Sequence, residues 1–359
     1  MTTSVVVGER EPFITSTPSG EESGLPLVVQ ADGERDPALL AERLRSHAAW
    51  VQERLTRHGA ILFRGFAVRS PDDFERVARA IDEELQNDYL GTSPRDALTS
   101  HVFSASELPP FYPIPQHCEM SFVARPPRRV FFCCLVEPAP GGGETPLVDF
   151  RAVWRELDPE VRRRFEEGGI RIVRNYAGPS GGSRFDLWKL KRWDEMFRTT
   201  DRAAVEAKCR AEGFEPVWTE GDGLRLVSTQ PVFRDHPVTA ERVWHNHVTT
   251  FHLSAAPGEY RRIFGLRPTI KHFALWQLAR TMVALQRLTR SSDEQSMHCT
   301  YADGREIPDA DVEHVRDVVW KHLVVTPWRQ GDVVAIDNHS VAHGRLPYSG
   351  PRQIAVCWA

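Results

Sequence analysis

A chain of 359 residues, 41% hydrophobic and 26% charged, holds enough apolar material for a sizeable core and exceeds the commonest single-domain length. Its formal net charge of -4 gives no polybasic footprint, which argues against nucleic acid and against an anionic membrane surface as partners. Six scattered cysteines, Cys118, Cys133, Cys134, Cys209, Cys299 and Cys357, form no Cys-X-X-Cys pair and argue against a disulfide scaffold or a zinc ribbon. Residues 1–25, rich in Ser, Thr, Gly and Glu, read as a mobile tail, and 1–12 is too charged for a signal peptide. Residues 26–359 then read as one domain.

Asp36 followed by Pro37 is a helix cap with a first-turn proline. Leu40, Leu44, Val51 and Leu55 recur at helical spacing until Gly59 closes the element. Ile61-Leu62-Phe63 follows as a strand, and Ser70-Pro71 opens a second helix with Phe74, Val77 and Ile81 on one side. In the apolar run 130–136, Cys133 and Cys134 serve as small buried hydrophobes. The stretch from about 151 to 320 reads as a helical insertion: 201–210 ends near Gly213, and 273–288 has the apolar density of a packed helix. The turn pair Gly331-Asp332 opens a buried strand, and 350–358 is the last one. No apolar run reaches transmembrane length, and the expected compartment is the reducing cytoplasm.

The chemistry concentrates at two places. In an extended segment residues i and i+2 share a face, so His117 and Glu119 can close on one ion while Cys118 points away. His343 offers a third ligand, following the buried strand where Gly344 lets the backbone bend; its rival His339, beside Asp337-Asn338, reads as a turn histidine. Two His and one carboxylate, with coordination positions left open, is the facial arrangement of non-heme Fe(II) oxygenases. Gly141-Gly142-Gly143-Glu144-Thr145 brings a flexible glycine run up to a hydroxyl. Arg352 opens the last strand, where a guanidinium needs an anionic partner and suits a carboxylate bidentately.

Taken in order, Gly59 through Phe66, His117-Cys118-Glu119-Met120-Ser121, Gly142-Gly143-Glu144-Thr145 and Asp337-Asn338 through His343-Gly344-Arg345 to Arg352 resemble the taurine dioxygenase/clavaminate synthase superfamily. These are Fe(II)/2-oxoglutarate-dependent oxygenases, and the likeness covers most of the chain. The metal segment and Thr300-Tyr301-Ala302-Asp303-Gly304 are similar to the syringomycin-type biosynthetic hydroxylase branch. The resemblance implies a mainly β fold with α insertions: a double-stranded β-helix (jelly roll) core flanked by helices, which returns late strands beside early ones. It further implies that His117, Glu119 and His343 hold Fe(II), that Thr145 hydrogen-bonds 2-oxoglutarate, and that Arg352 pairs with its distal carboxylate. Arg345 is a second basic candidate there, its place in the His-Gly-Arg segment favouring a structural or substrate-side role.

The implied reaction is hydroxylation of an unactivated C–H bond in an amino acid, an amino-acid-derived natural product or a carrier-protein-tethered aminoacyl group. Dioxygen is the second cosubstrate, and succinate and carbon dioxide are coproducts. Glu119 keeps the carboxylate that related halogenases replace by a small residue, which favours hydroxylation; desaturation and cyclisation share the same centre. A zinc hydrolase using the same imidazoles and a non-catalytic metabolite-binding jelly roll are the competing readings. Arg184, Trp188, Lys189, Lys191, Arg192 and Trp193 read either as a substrate-selecting cluster or as a solvated helix face with two core tryptophans. His245, His247 and His252 read either as a second metal locus or as packed imidazoles.

Overall fold

The computed structural model describes residues 11–18, 24–91, 95–180 and 192–359. A seven-stranded sheet runs in the order Ile14–Ser16, Leu27–Gln30, Ala60–Arg64, Val333–Asp337, Arg129–Val136, Gln353–Trp358, Phe103–Ser104. All its pairings are antiparallel except Leu27–Gln30 with Ala60–Arg64. Its central strands are apolar at nearly every position because both faces are covered. Alternation sends Leu62, Phe132, Val334, Ile336, Ile354, Val356 and Trp358 to one face. The intervening Ile61, Phe63, Phe131, Cys133, Val333, Ala335 and Cys357 go to the other, against Leu44, Leu55, Phe74 and Val77 of the flanking helices.

The first of those faces shares its core with a three-stranded sheet ordered Ile114–His117, Val341–Arg345, Leu147–Asp149. In both sheets a late strand lies between two early ones, which is the jelly-roll arrangement. All six cysteines are buried and free.

Local signals explain most helix boundaries. Asp36 accepts from the Ala38 and Leu39 N–H groups, and Pro37 occupies the first turn of Pro37–Ser46. One continuous helix up to Gly59 was expected, yet the chain leaves helical geometry at His47 (φ -120°) and restarts as Ala48–His58. Gly59 then caps the second helix at φ 75°, where a Cβ would lie 2.2 Å from Val341 Cγ2. A reciprocal capping box between Ser70 and Asp73 starts Pro71–Ile81.

Three expectations need correction. Residues 11–18 are not part of a mobile tail: Ile14–Ser16 pairs with Leu27–Gln30, and Phe13 is buried 5.0 Å from the Trp50 ring. The 151–320 region is not purely helical, since Met297–Thr300, Ile170–Tyr176, Gly223–Gln230 and Glu215–Thr219 build a four-stranded sheet. The helix Ile270–Thr289 exists, but it is not packed on all sides. Phe273 and Trp276 meet Phe264 of the preceding helix, only Ala279 is buried, and Ile270, Leu278, Leu285 and Leu288 are exposed. Among the described residues no helix is long and apolar enough to cross a membrane.

Candidate active site

Strand register creates the site. His343 stands directly opposite His117 across the ladder joining Val341–Arg345 to Ile114–His117, with ring centroids 4.7 Å apart. Glu119 lies beyond the end of its strand, before a turn in which Met120 takes φ 49°. The pair named by the i, i+2 argument does come together, but a turn and not a continuous strand aims the carboxylate. Glu119 Oε2 lies 3.6 Å from His343 Nε2, and one ligand atom from each of His117, Glu119 and His343 lies within 4.8 Å of the others. His343 itself sits inside a strand. The irregularity follows at Gly344, where a Cβ would lie 2.6 Å from the Ile114 carbonyl oxygen.

The groups behind these side chains fix their orientation and charge. Asn338, fully buried, accepts from the Glu119 N–H at 2.7 Å and donates to the carbonyls of Glu119 at 3.0 Å and Pro127 at 2.8 Å. The Pro115 carbonyl, 2.8 Å from His117 Nδ1, requires the proton on that nitrogen and leaves the Nε2 lone pair free. Burial, and then the neighbouring His343, push His117 down to about 4, so it is neutral at neutral pH, as a metal ligand must be. Burial alone would raise the Glu119 carboxyl; Arg95 and His343 outweigh it and hold the group well below the usual carboxylate range. Cys118 joins the apolar core, where burial pushes its thiol far up.

The basic candidates separate into different roles. Arg352 Nε donates to the Gly143 carbonyl at 2.8 Å and its Nη2 reaches Thr145 Oγ1 at 3.5 Å. Among the described residues no carboxylate lies within ion-pair distance of it. Burial and the Arg345 cation push its guanidinium down to about 10. A Cβ on Gly143, at φ 76°, would lie 2.8 Å from Pro138 Cβ and 3.1 Å from Arg352 Cδ, so the glycine run allows this approach. Arg345 instead donates to the carbonyls of Leu108, Pro109 and Tyr112 at 2.8–3.1 Å, holding a loop that lines the cavity. Sequence reasoning missed Arg95, whose Nη2 donates to Glu119 Oε2 at 2.8 Å. A lone arginine between Pro94 and Asp96 carries no spacing signal. His117, Glu119, His343, Thr145, Arg352, Arg345 and Arg95 all line one cavity, with Phe122, Phe132, Phe251 and Met297 among its walls.

Of the remaining candidates, His247 reaches this cavity and the other described ones lie elsewhere. His339 lies in the turn after Asp337, its N–H donating to the Asp337 carboxylate at 3.1 Å. Arg184, Trp188, Lys189 and Lys191 lie outside the described residues; Trp193 is buried against Trp218, and Arg192 pairs with Asp194. His245, His247 and His252 do not converge on one point. His247 joins the cavity wall, with its Nδ1 2.5 Å from Ser121 Oγ and its ring 5.0 Å from His117. His252 approaches His298 and Glu306 instead. There the Leu253 N–H donates to His298 Nδ1 at 3.1 Å, so His298 Nε2 carries a proton towards Glu306 Oε2 at 3.0 Å and has no lone pair for a metal.

The family model for taurine catabolism dioxygenase TauD, TfdA family, matches residues 21–358. The chain belongs to the TauD/TfdA family. It is similar to the dapdiamide synthesis protein DdaC of Enterobacter agglomerans, 28% identical over 334 residues and covering 93% of this chain and 91% of that protein. A clavaminate synthase-like protein of Arabidopsis thaliana is 28% identical over 326 residues, covering 88% and 86% respectively. The solved PvcB protein of Pseudomonas aeruginosa shares the fold, with a TM-score of 0.51 at 14% identity over 100% of this chain and 94% of that one. This TauD/TfdA protein is a dioxygenase dependent on Fe(II), 2-oxoglutarate and dioxygen. The donor set fits those groups: a His-Glu-His cluster with a free imidazole lone pair shares a cavity with a buried guanidinium that no carboxylate among the described residues neutralises.

Proposed function

We propose that His117, Glu119 and His343 hold Fe(II), that Thr145 and Arg352 hold 2-oxoglutarate, and that the enzyme hydroxylates an unactivated C–H bond of an amino-acid-derived natural product. The observation that carries this reading is the pairing of His343 with His117 beside Glu119, in one cavity with Arg352. Two neutral imidazoles and one carboxylate leave room on a ferrous ion for a bidentate 2-oxo acid and dioxygen. Those bound groups supply the oxidising chemistry, releasing succinate and carbon dioxide.

The chain's own residues bind, orient and exclude water. Arg352 meets the distal carboxylate of the cosubstrate. Thr145 Oγ1, which already accepts from Trp328 Nε1 at 3.2 Å, has its own proton to donate there. The aromatic walls hold one C–H bond close and keep water out, so regioselectivity comes from positioning. Arg345 acts through the loop that it holds. Glu119 occupies the metal position that a halide would need, which favours hydroxylation over halogenation.

The likeness to DdaC, a dapdiamide synthesis protein, supports a natural-product substrate, either free or tethered to a carrier protein. We place the enzyme in the cytoplasm, as one domain that takes in Ile14–Ser16; a reducing compartment suits both ferrous iron and six free thiols. Anaerobic addition of Fe(II) and 2-oxoglutarate is expected to give a visible absorption band. In air, free and carrier-loaded amino-acid derivatives are to be screened for succinate formed in step with a product heavier by one oxygen. Absence of the band with both groups bound, or product formed without oxygen uptake, refutes the reading. Glu119→Ala is expected to lose coupled turnover.

A further inference from the structure

We propose that Arg95 is a specificity residue that receives a carboxylate of the substrate, at the opposite end of the cavity from the 2-oxoglutarate clamp. This rests on the reading of His117, Glu119 and His343 as the metal ligands. The Arg95 side chain is only 6% exposed. Its Nη2 is used on Glu119 Oε2 and the Tyr89 hydroxyl also bears on the guanidinium, while Nε and Nη1 are buried without a well-formed hydrogen bond of their own. A desolvated guanidinium with two such donors is a costly arrangement unless a ligand completes it. Its plane is held by aromatic rings, with the guanidinium carbon 4.3 Å from the Tyr89 centroid and 5.4 Å from that of Trp358. Rings that cover its faces leave its edge for a planar acceptor, and a carboxylate matches that fork.

Charge accounting points the same way. Among the described residues the cavity is lined by three guanidiniums, Arg95, Arg345 and Arg352, and by a single carboxylate, Glu119. A ferrous ion and 2-oxoglutarate dianion cancel one another and leave that cationic surplus intact. Once Glu119 ligates the metal its charge is shared with the ion, and Arg95 loses most of its neutralisation. Arg352 precedes and Trp358 closes the strand Gln353–Trp358, so the clamp and the ring that holds Arg95 stand at different ends of one strand. A free ammonium would meet three cations and, among the described residues, no acid except Glu119. The substrate that fits is therefore a carboxylic acid whose amine is acylated or absent.

The test uses protein loaded with Mn(II) and 2-oxoglutarate, with relaxation of probe protons by the bound Mn(II) as the readout. Three probes are compared: N-acetyl-L-leucine, N-acetyl-L-leucinamide and L-leucine. The acid is expected to be relaxed about tenfold more strongly than the amide or the free amino acid, the scale of one charge-assisted hydrogen-bonded pair. Arg95→Gln abolishes that preference, and Arg95→Lys, which keeps the charge, retains part of it. Equal relaxation of acid and amide by the wild type overturns the proposal, as does a wild-type preference in Arg95→Gln. If Arg95 only braces Glu119, Arg95→Gln changes Mn(II) affinity and leaves the acid-to-amide ratio at its wild-type value. Failure of the underlying reading looks different: the methylene protons of 2-oxoglutarate then go unrelaxed in the wild type.

Discussion

Asn338→Ala is the sharpest probe of how the site is held. The side chain satisfies three buried backbone groups: the Glu119 N–H, the Glu119 carbonyl and the Pro127 carbonyl. Each buried group left unpaired costs about 1–3 kcal/mol, and a water entering the space of the lost amide would restore some of them, so a net loss of about 3 kcal/mol follows. Because Glu119 is a proposed ligand and Asn338 fixes its backbone, Fe(II) affinity should fall by about 10- to 100-fold, as for other groups that orient metal ligands. Asn338→Asp separates hydrogen bonding from bulk. It keeps an acceptor for the Glu119 N–H but turns an oxygen on two carbonyls, so it should destabilise at least as much as alanine. Urea unfolding of metal-free protein gives the first number and anaerobic Fe(II) titration the second. A loss below about 0.5 kcal/mol for Asn338→Ala, within the range of ordinary surface substitutions, together with unchanged Fe(II) affinity, would refute the reasoning.

Arg352→Gln removes the guanidinium that reaches Thr145; it should weaken 2-oxoglutarate binding about 100-fold, the scale of a truncated buried charge pair, while Mn(II) binding alone changes little. Isothermal titration of each ligand checks it, and unchanged 2-oxoglutarate affinity moves the clamp elsewhere. His245 is buried, and burial, then the Arg234 and His339 charges, push it from 6.5 down to about 3. The unfolded chain therefore takes up this proton first as pH falls, so the contribution is complete above pH 6.5 and is lost progressively towards pH 3. His245→Leu should accordingly lose roughly 2 kcal/mol less stability than the wild type between pH 7 and pH 5, at about 1.4 kcal/mol per pH unit; parallel stability profiles contradict this. All six cysteines are buried, so an aromatic disulfide reagent should label none of them in native protein and all of them in guanidinium. Fast labelling of any one under native conditions contradicts the packing described.

The candidate ligand types stand out because coordination chemistry limits which residues can hold a ferrous ion, and the strands were legible because both sheet faces demand apolar side chains. Register was not. Nothing local to His117 says that His343 will face it; that follows only once Val341–Arg345 is laid between Ile114–His117 and Leu147–Asp149. The exposed face of Ile270–Thr289 shows the same limit, since apolar density says how much surface seeks cover and not where the cover lies. Ile170–Tyr176 alternates in a way that predicts a strand, but it stands among helical patterns, and its partner Gly223–Gln230 begins 53 positions after it.

Arg95 shows why the most specific part of a site is the least readable. A metal ligand is constrained by the ion and recurs in a recognisable tripeptide, whereas a residue that selects substrate is constrained only by its neighbours. Tyr89, Glu119 and Trp358, which hold Arg95, come from three separate segments and meet it only in the folded chain. The three guanidiniums are likewise distinguished by what surrounds them and not by residue type. Arg345 donates to backbone carbonyls from both terminal nitrogens and keeps a buried unpaired Nε, Arg352 has a carbonyl and a hydroxyl but, among the described residues, no anion, and Arg95 shares an oxygen of Glu119 with the proposed metal site. Motif position separates Arg352 from Arg345 in the sequence and gives no signal for Arg95; the partners that each meets in the folded chain supply what the sequence lacks.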